Sequence, residues 1–187
     1  MIMINPKISV ILPTHNRSEL LPRTIHSLLN QTYQDFEIII IDDASQDNTP
    51  DIIQGMVKTD PRIRSIRSDE NIGPGAARNL GVEQARGEFI AIIDDDDIAL
   101  PQRLQKQLFE FEIDQQIDLV FSCVEWVDEV LNSLTIFPGI VQRDEFPNEP
   151  GEVFKLLYLE GNKIPNTTLL TRKEIWDMSM YPSEPWI

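Results

Sequence analysis

A single cysteine, Cys123, stands in 187 residues, so the chain forms no intrachain disulfide and has too few thiolates for a sulfur-ligated metal site. A reducing compartment fits that scarcity best. Histidine is nearly as rare, and only His15 and His26 exist to activate a thiol. Cys123, following Leu119, Val120, Phe121 and Ser122, therefore reads as a buried strand residue rather than a nucleophile. Positive charge is also in short supply. Sixteen lysines and arginines face 31 aspartates and glutamates, a formal charge of -15, and residues 94–187 hold seven basic against nineteen acidic groups. A nucleic-acid backbone would be repelled, whereas a small anion could still bind through a local metal and a few arginines. No apolar stretch of ~18 residues occurs, and the opening MIMINPK has no signal-peptide core. The expectation is a cytoplasmic chain, with any membrane association peripheral and at the inner face. Internal repeats, low-complexity tracts and a GxxxxGK[ST] phosphate loop are missing as well.

What is present is an ordinary globular composition, 41% hydrophobic and 25% charged, arranged as short β-branched runs alternating with amphipathic stretches. That alternation predicts an α/β fold with a mostly parallel sheet flanked by helices. Strands are expected at Ile8 to Leu12, Phe36 to Ile41, Ile63 to Ile66, Phe89 to Ile93 and Leu119 to Val124. The unbroken isoleucines at 38–41 imply burial on both faces. Helices are expected from a Ser18 cap to about Asn30, from Thr49 and Pro50 to about Lys58, from Pro74 to Arg86, where Gly87 stops it, and from Pro101 to about Ile113. Past Val124 the rhythm weakens. A hairpin near Trp126 to Phe137, a helix from Glu152 to Glu160, an extended piece at Asn166 to Leu170 and a short helix near Lys173 to Met178 are the expected elements.

In an open α/β sheet, ligands collect beyond the carboxyl ends of the strands. The first strand ends in Pro13, Thr14, His15, Asn16 and Arg17, the second in Asp42 and Asp43, and the fourth in four consecutive aspartates, Asp94 to Asp97. Carboxylates ~4 Å apart repel by about 4 kcal/mol near a protein surface, and a hard divalent ion relieves that repulsion. A solvated acidic turn is the competing reading. Between the third and fourth strands, Asn71, Ile72, Gly73, Pro74, Gly75, Ala76, Ala77, Arg78 and Asn79 open a helix whose free N–H groups and positive end attract phosphate. Arg78 either reaches a ligand there or pairs with an aspartate, while Ala77 and Gly81 are read as small residues for tight packing. The glycines do not form a dinucleotide fingerprint, because they follow the third strand and lack the sixth-position glycine. His15 could stack on a base or pack as a surface imidazole, and His26, in mid-helix, reads as structural.

The succession ISVILPTHNR, QTYQDFEIIIIDDASQDNT and NIGPGAARNLGVEQARGEFIAIIDDDD, followed by IALPQRLQKQ, resembles the inverting glycosyltransferases of family 2, which have the GT-A fold. The likeness covers residues 7 to about 125 and thins beyond. It implies transfer of a sugar from a nucleotide-diphospho-sugar donor, UDP by default, to a hydroxyl of a saccharide or lipid-linked acceptor, assisted by Mg2+ or Mn2+. Position by position, it implies that Pro13, Thr14, His15 and Asn16 lie in the base-holding segment and that Asp43 reads the base edge, with Asp42 its structural neighbour. Arg78 falls in the region facing the diphosphate or sugar. Asp94 and Asp95 would bond ribose or sugar, Asp96 would ligate the metal, and Asp97 would open the next helix.

The resemblance also implies one GT-A domain, with residues 1–125 as the nucleotide-sugar half and 126–187 as the start of the acceptor side. The family's acidic base, in an ED-type motif, is expected beyond Ile187, and Glu184, between prolines, is a poor substitute. The expectation is an incomplete catalytic domain that binds donor with little transfer by itself, and the alternative is a catalytically silent nucleotide-sugar-binding module. Two other classes fit less well. A sugar-phosphate nucleotidyltransferase needs a glycine- and arginine-rich loop after the first strand, and a phosphoacceptor receiver needs a lysine near a later strand.

Overall fold

The computed structural model describes residues 5–128, 130–137, 165–178 and 181. Eight strands are defined: β1 (Ile8–Thr14), β2 (Phe36–Asp42), β3 (Ile63–Arg67), β4 (Phe89–Ile92), β5 (Leu119–Val120), β6 (Val124–Val127), β7 (Ser133–Phe137) and β8 (Leu170–Arg172). The helices are α1 (Leu21–Leu29), α2 (Thr49–Thr59), α3 (Gly73–Glu83), α4 (Arg103–Ile113) and α5 (Lys173–Met178), with a 3-10 turn at Asn166–Thr168. The main sheet runs β3-β2-β1-β4-β8-β5. Its β3, β2, β1 and β4 are mutually parallel, and β8 lies antiparallel between β4 and β5. It is the α/β sheet, mostly parallel and helix-flanked, that the sequence pattern predicts.

Every residue of β1, β2 and β4 is buried, which is why these strands read as unbroken apolar runs. Alternate side chains feed two cores. Val10, Leu12, Ile38 and Ile40 pack with Leu21, Ile25 and Leu28 of α1 and Leu104, Leu108 and Phe111 of α4. Ile11, Ile39, Ile41 and Ile92 pack on the other face with Ala77 and Val82 of α3 and Trp176 of α5. The chain steps outward from β1 to β3 and then crosses back, over α3, to β4 on the far side of β1. The point where strand order reverses thus lies between β1 and β4. β1 and β2 end together, Thr14 against Asp42, while β4 ends at Ile92 opposite Ile11, three residues earlier, so the aspartates that follow β4 belong to the loop beyond it.

Several expectations need correction. Ser18 does not cap α1: the helix starts at Leu21, and the Arg17 carbonyl accepts from Leu20 N (3.1 Å) and Leu21 N (3.0 Å). Cys123 is exposed, because β5 is a two-residue edge strand that ends at Val120. Asn166–Thr168 forms a 3-10 turn rather than an extended piece, and the strand begins at Leu170. The hairpin is formed by β6 and β7. The helix expected at 152–160 lies outside the described residues.

Two glycines let α3 and its exit close onto the sheet. A Cβ on Gly81 would lie 2.5 Å from Ile11 Cγ2 and 2.6 Å from Ile41 Cδ1. A Cβ on Gly87 would lie 2.5 Å from Ser9 N and 2.8 Å from Ile8 C, where backbone rather than side chain must yield. Gly81→Ala also gains helix propensity of about 1 kcal/mol, so its net loss should be modest. Gly87→Ala should destabilise by more, about 3 kcal/mol, and urea denaturation of the two variants should rank them in that order.

Candidate functional site

The carboxyl ends of the central strands open onto a cleft of about 450 Å3 lined by Pro13, Thr14, His15, Arg17, Asp43, Asn71, Pro74, Arg78, Asp94, Asp95 and Asp96. Of the residues expected from the sequence at this site, Asn16 alone does not line it. With φ at 54°, a conformation asparagine tolerates, its side chain laces two loops together. Asn16 Oδ1 accepts from Gln46 N (2.7 Å) and Asp47 N (3.3 Å), and its own N–H donates to Ser45 Oγ (2.9 Å). Arg17, Asn71 and Pro74 line the cleft without having been assigned a role. Their signal was adjacency: each sits within a stretch already marked by a strand end or helix start.

His15 donates from Nδ1 to the Asp43 carbonyl (2.5 Å), while Asn16 Nδ2 donates to its Nε2 (2.9 Å), a pairing that fits the neutral Nδ1–H tautomer. Asp42 is buried, accepting from Ser45 N (3.0 Å) and pairing with Arg67. Asp43 is buried too, and most of its carboxylate is engaged. Oδ1 accepts from Ser68 Oγ (3.0 Å) and Ile72 N (2.8 Å), and Oδ2 from Gly73 N (2.9 Å). Asp43 therefore takes the amides of Ile72 and Gly73 at the α3 N-terminus, so these two are not free for a phosphate. Gly73, at φ 80°, permits the turn that brings these amides round. Oδ2 of Asp43 accepts this one hydrogen bond from Gly73 among the described residues, and a carboxylate oxygen has room for a second.

The acidic tip is fastened from both sides. Thr24 Oγ1 of α1 donates to the Asp95 carbonyl (2.8 Å) and Arg23 Nη2 to the Asp96 carbonyl (3.3 Å). From the 3-10 turn, Thr167 Oγ1 accepts from Asp94 N (3.0 Å) and donates to the Asp97 carboxylate. Asp97 thus ends the tip and does not open a helix, since α4 begins only at Arg103.

The four carboxylates have different surroundings. Asp94 pairs with Arg78 Nη2 (2.5 Å), and Asp95 faces Arg17 Nε at 3.7 Å. Burial raises the pKa of Asp95, opposed by the Thr14 hydroxyl and Arg17. Burial likewise raises that of Asp97, opposed by Thr167. Arg103 is half-buried; desolvation pushes it down to about 10 against the pull of Asp97 and Asp94, and its Nη2 donates to the Ile92 carbonyl (2.7 Å). Asp96 is exposed, and among the described residues no hydrogen bond or ion pair engages its carboxylate. Two buried polar atoms of cleft-lining residues, Thr14 Oγ1 and Arg78 Nε, have no hydrogen-bond partner among the described residues. Thr14 lies near enough to Asp95 to favour its charge without reaching hydrogen-bonding geometry.

No group of three or more histidine, cysteine, aspartate or glutamate side chains among the described residues is arranged to hold a metal unaided. A single free carboxylate is nevertheless what Mg2+ uses when substrate phosphates complete its shell. Among the described residues no helix is long and apolar enough to cross a membrane.

A family model described as Glycosyl transferase family 2 matches residues 9–174. The chain is 44% identical over 137 residues to an uncharacterized glycosyltransferase of Methanocaldococcus jannaschii, covering 72% of this chain and 47% of that one. S. aureus TarS 1-349 in complex with UDP-GlcNAc superposes with a TM-score of 0.71 at 23% identity, over 92% of this chain and 47% of that one. The mannosyltransferase PcManGT from Pyrobaculum calidifontis, in complex with GDP-Man and Mn2+, does so with a TM-score of 0.68 at 20% identity, over 97% and 49%. The chain spans about half the length of each of these proteins. The two structural likenesses show the shared GT-A fold.

Asp47 ties the loops that carry this cleft, accepting from Thr49 N (2.9 Å) and Ser18 N (3.2 Å), and the Thr49 hydrogen bond leads in holding its carboxyl below the usual range. A depressed folded pKa contributes stability above the unfolded value near ~3.9 that is lost as pH falls through the folded one. Asp47→Ala should therefore lower the melting temperature at pH 7, and the gap from the unmodified chain should narrow steadily below about pH 4 in a thermal-denaturation series.

Proposed function

The chain belongs to glycosyl transferase family 2, and on that premise we propose that its cleft binds a nucleotide-diphospho-sugar, a UDP-sugar in the first instance. The proposed reaction is transfer of the sugar, with inversion, to a hydroxyl of a saccharide or lipid-linked acceptor. The observation that carries this reading is the distribution of partners around the tip. Arginines stand by Asp94 and Asp95, while among the described residues Asp96 keeps an exposed carboxylate with no partner, in the same cleft as two buried polar atoms that have none. Buried groups left unsatisfied call for an explanation, and a polar ligand in the cleft supplies one. The complexes of TarS with UDP-GlcNAc and of PcManGT with GDP-Man and Mn2+ support a nucleotide sugar and a divalent ion.

In this reading Asp96 holds Mg2+ or Mn2+ together with the donor's phosphates. When bound there, such an ion would supply positive charge beside the diphosphate leaving group, where negative charge grows in the transition state. The chain's own groups orient the donor. The open position on Asp43 Oδ2 and the His15 to Arg17 segment address the nucleoside, Thr14 offers its hydroxyl, and Asp94 and Asp95 face ribose or sugar hydroxyls. Arg78 adds a fixed cation on the phosphate side.

Because Asp96 is the one unengaged carboxylate of the tip among the described residues, metal and nucleotide should bind together rather than in sequence. In thermal-shift assays Mn2+ alone should move the melting temperature little, and UDP with Mn2+ should move it more than the two separate shifts combined. A ligand at a hundred times its dissociation constant stabilises by about 2.7 kcal/mol. Asp96→Ala should lose the metal-dependent share and keep the metal-free one. A full shift with Mn2+ alone, or an indifferent Asp96→Ala, would contradict the reading, and a panel including GDP and dTDP identifies the base.

A further inference from the structure

Tyr181 is fastened more firmly than its place beyond α5 requires. Its backbone N–H donates to Asn79 Oδ1 (2.9 Å), and its carbonyl accepts from Asn79 Nδ2 (2.8 Å), so one amide side chain of α3 grips both groups. Its hydroxyl donates to Asn166 Oδ1 (2.6 Å), next to the threonine that holds the acidic tip. Trp176 lies against the ring at 5.4 Å between centroids. Ring, backbone and hydroxyl are all constrained, which leaves the ring face in one orientation.

The neighbour of that face is Arg78. The guanidinium carbon sits 5.5 Å from the Tyr181 ring centroid, within range for a cation held by the π-face, and burial strengthens such contacts. Arg78 keeps only 13% of its side chain exposed, and its Nη2 is committed to Asp94. Asn79, adjacent in sequence, holds the tyrosine that backs it, so one turn of α3 carries both the cation and the anchor of its support. An arginine fixed by a carboxylate on one side and an aromatic ring on another has little rotamer freedom left to lose on meeting an anion. A ring that merely filled space beside Trp176 would need neither the paired Asn79 bonds nor the Asn166 bond.

We infer that Tyr181 is a positioning residue for the donor's diphosphate, acting through Arg78, whose guanidinium it holds against Asp94 at the cleft wall. This rests on the nucleotide-sugar reading above. It places a determinant of phosphate recognition some hundred positions downstream of the α3 motif, on the segment that returns across the sheet through β8.

The test compares binding, by titration calorimetry with Mn2+, of whichever nucleoside diphosphate the unmodified chain takes (UDP, GDP or dTDP) and of its monophosphate. Tyr181→Leu, which keeps an apolar bulk but has no π-face, should weaken the diphosphate about tenfold and leave the monophosphate within about twofold. Tyr181→Phe should restore most of the loss. In an Arg78→Gln background, Tyr181→Leu should add nothing. Should Tyr181→Leu not fold, Asn166→Ala, which releases only the hydroxyl, should show the same selectivity at smaller size. Equal losses for both nucleotides, no loss, or full additivity with Arg78→Gln would overturn the inference while leaving the donor reading intact. An unmodified chain that binds none of the nucleotides would overturn both.

Discussion

Four carboxylates in succession at the end of a buried strand form the constraint around which this structure is arranged. Left alone they would repel one another, and the fold separates their fates. Arg78 from α3 takes Asp94, Arg17 from the β1 end faces Asp95, and Thr167 receives Asp97, whose charge Arg103 also favours. Asp96 is the one the protein leaves exposed and unengaged among the described residues. The cost of holding Asp95 and Asp97 in a poorly solvated place appears as raised pKa values, the direction expected when burial outweighs neighbouring cations. A protein that wanted only a polar turn would have had no reason to bury charge there.

The sheet makes that arrangement possible. Reversal of strand order between β1 and β4 leaves a crevice beyond their carboxyl ends, and Thr14, Asp43 and the aspartates after β4 line that one cleft. The loops are then tied to each other rather than left to solvent. Asn16 and, through Ser18 N, Asp47 lace the β1 and β2 ends, Asp43 caps α3, and α1 anchors the tip through Thr24. Each tie crosses between elements distant in sequence, so the cleft is formed before any ligand arrives, which lowers the ordering cost of binding.

Much of this was legible in the sequence, for a physical reason. Strand and helix positions follow from local periodicity, and the isoleucine run of β2 and the Leu21, Ile25, Leu28 stripe of α1 announce which surfaces are covered. The aspartate block declares itself because like charges in a row need compensation. What local pattern cannot encode is the identity of a partner brought from afar. Nothing around Asp43 says that its oxygens are already committed to Ile72 and Gly73, nothing around Asn16 says that it ties loops rather than faces the cleft, and nothing around Tyr181 points to Arg78. Cys123 was misjudged for a related cause: an apolar run implies burial only if a neighbouring strand covers it, and β5 lies at the edge.

The central claim is that Asp96 and a diphosphate together hold a divalent ion at this tip. The most direct measurement is anomalous diffraction from a crystal containing Mn2+ and the nucleoside diphosphate that binds. The account predicts a manganese peak within about 2.0–2.6 Å of an Asp96 oxygen and of phosphate oxygens, the oxygen-ligand range for hard divalent ions. A bound nucleotide with no metal peak at the tip, or a peak held elsewhere with Asp96 turned to bulk water, would contradict it.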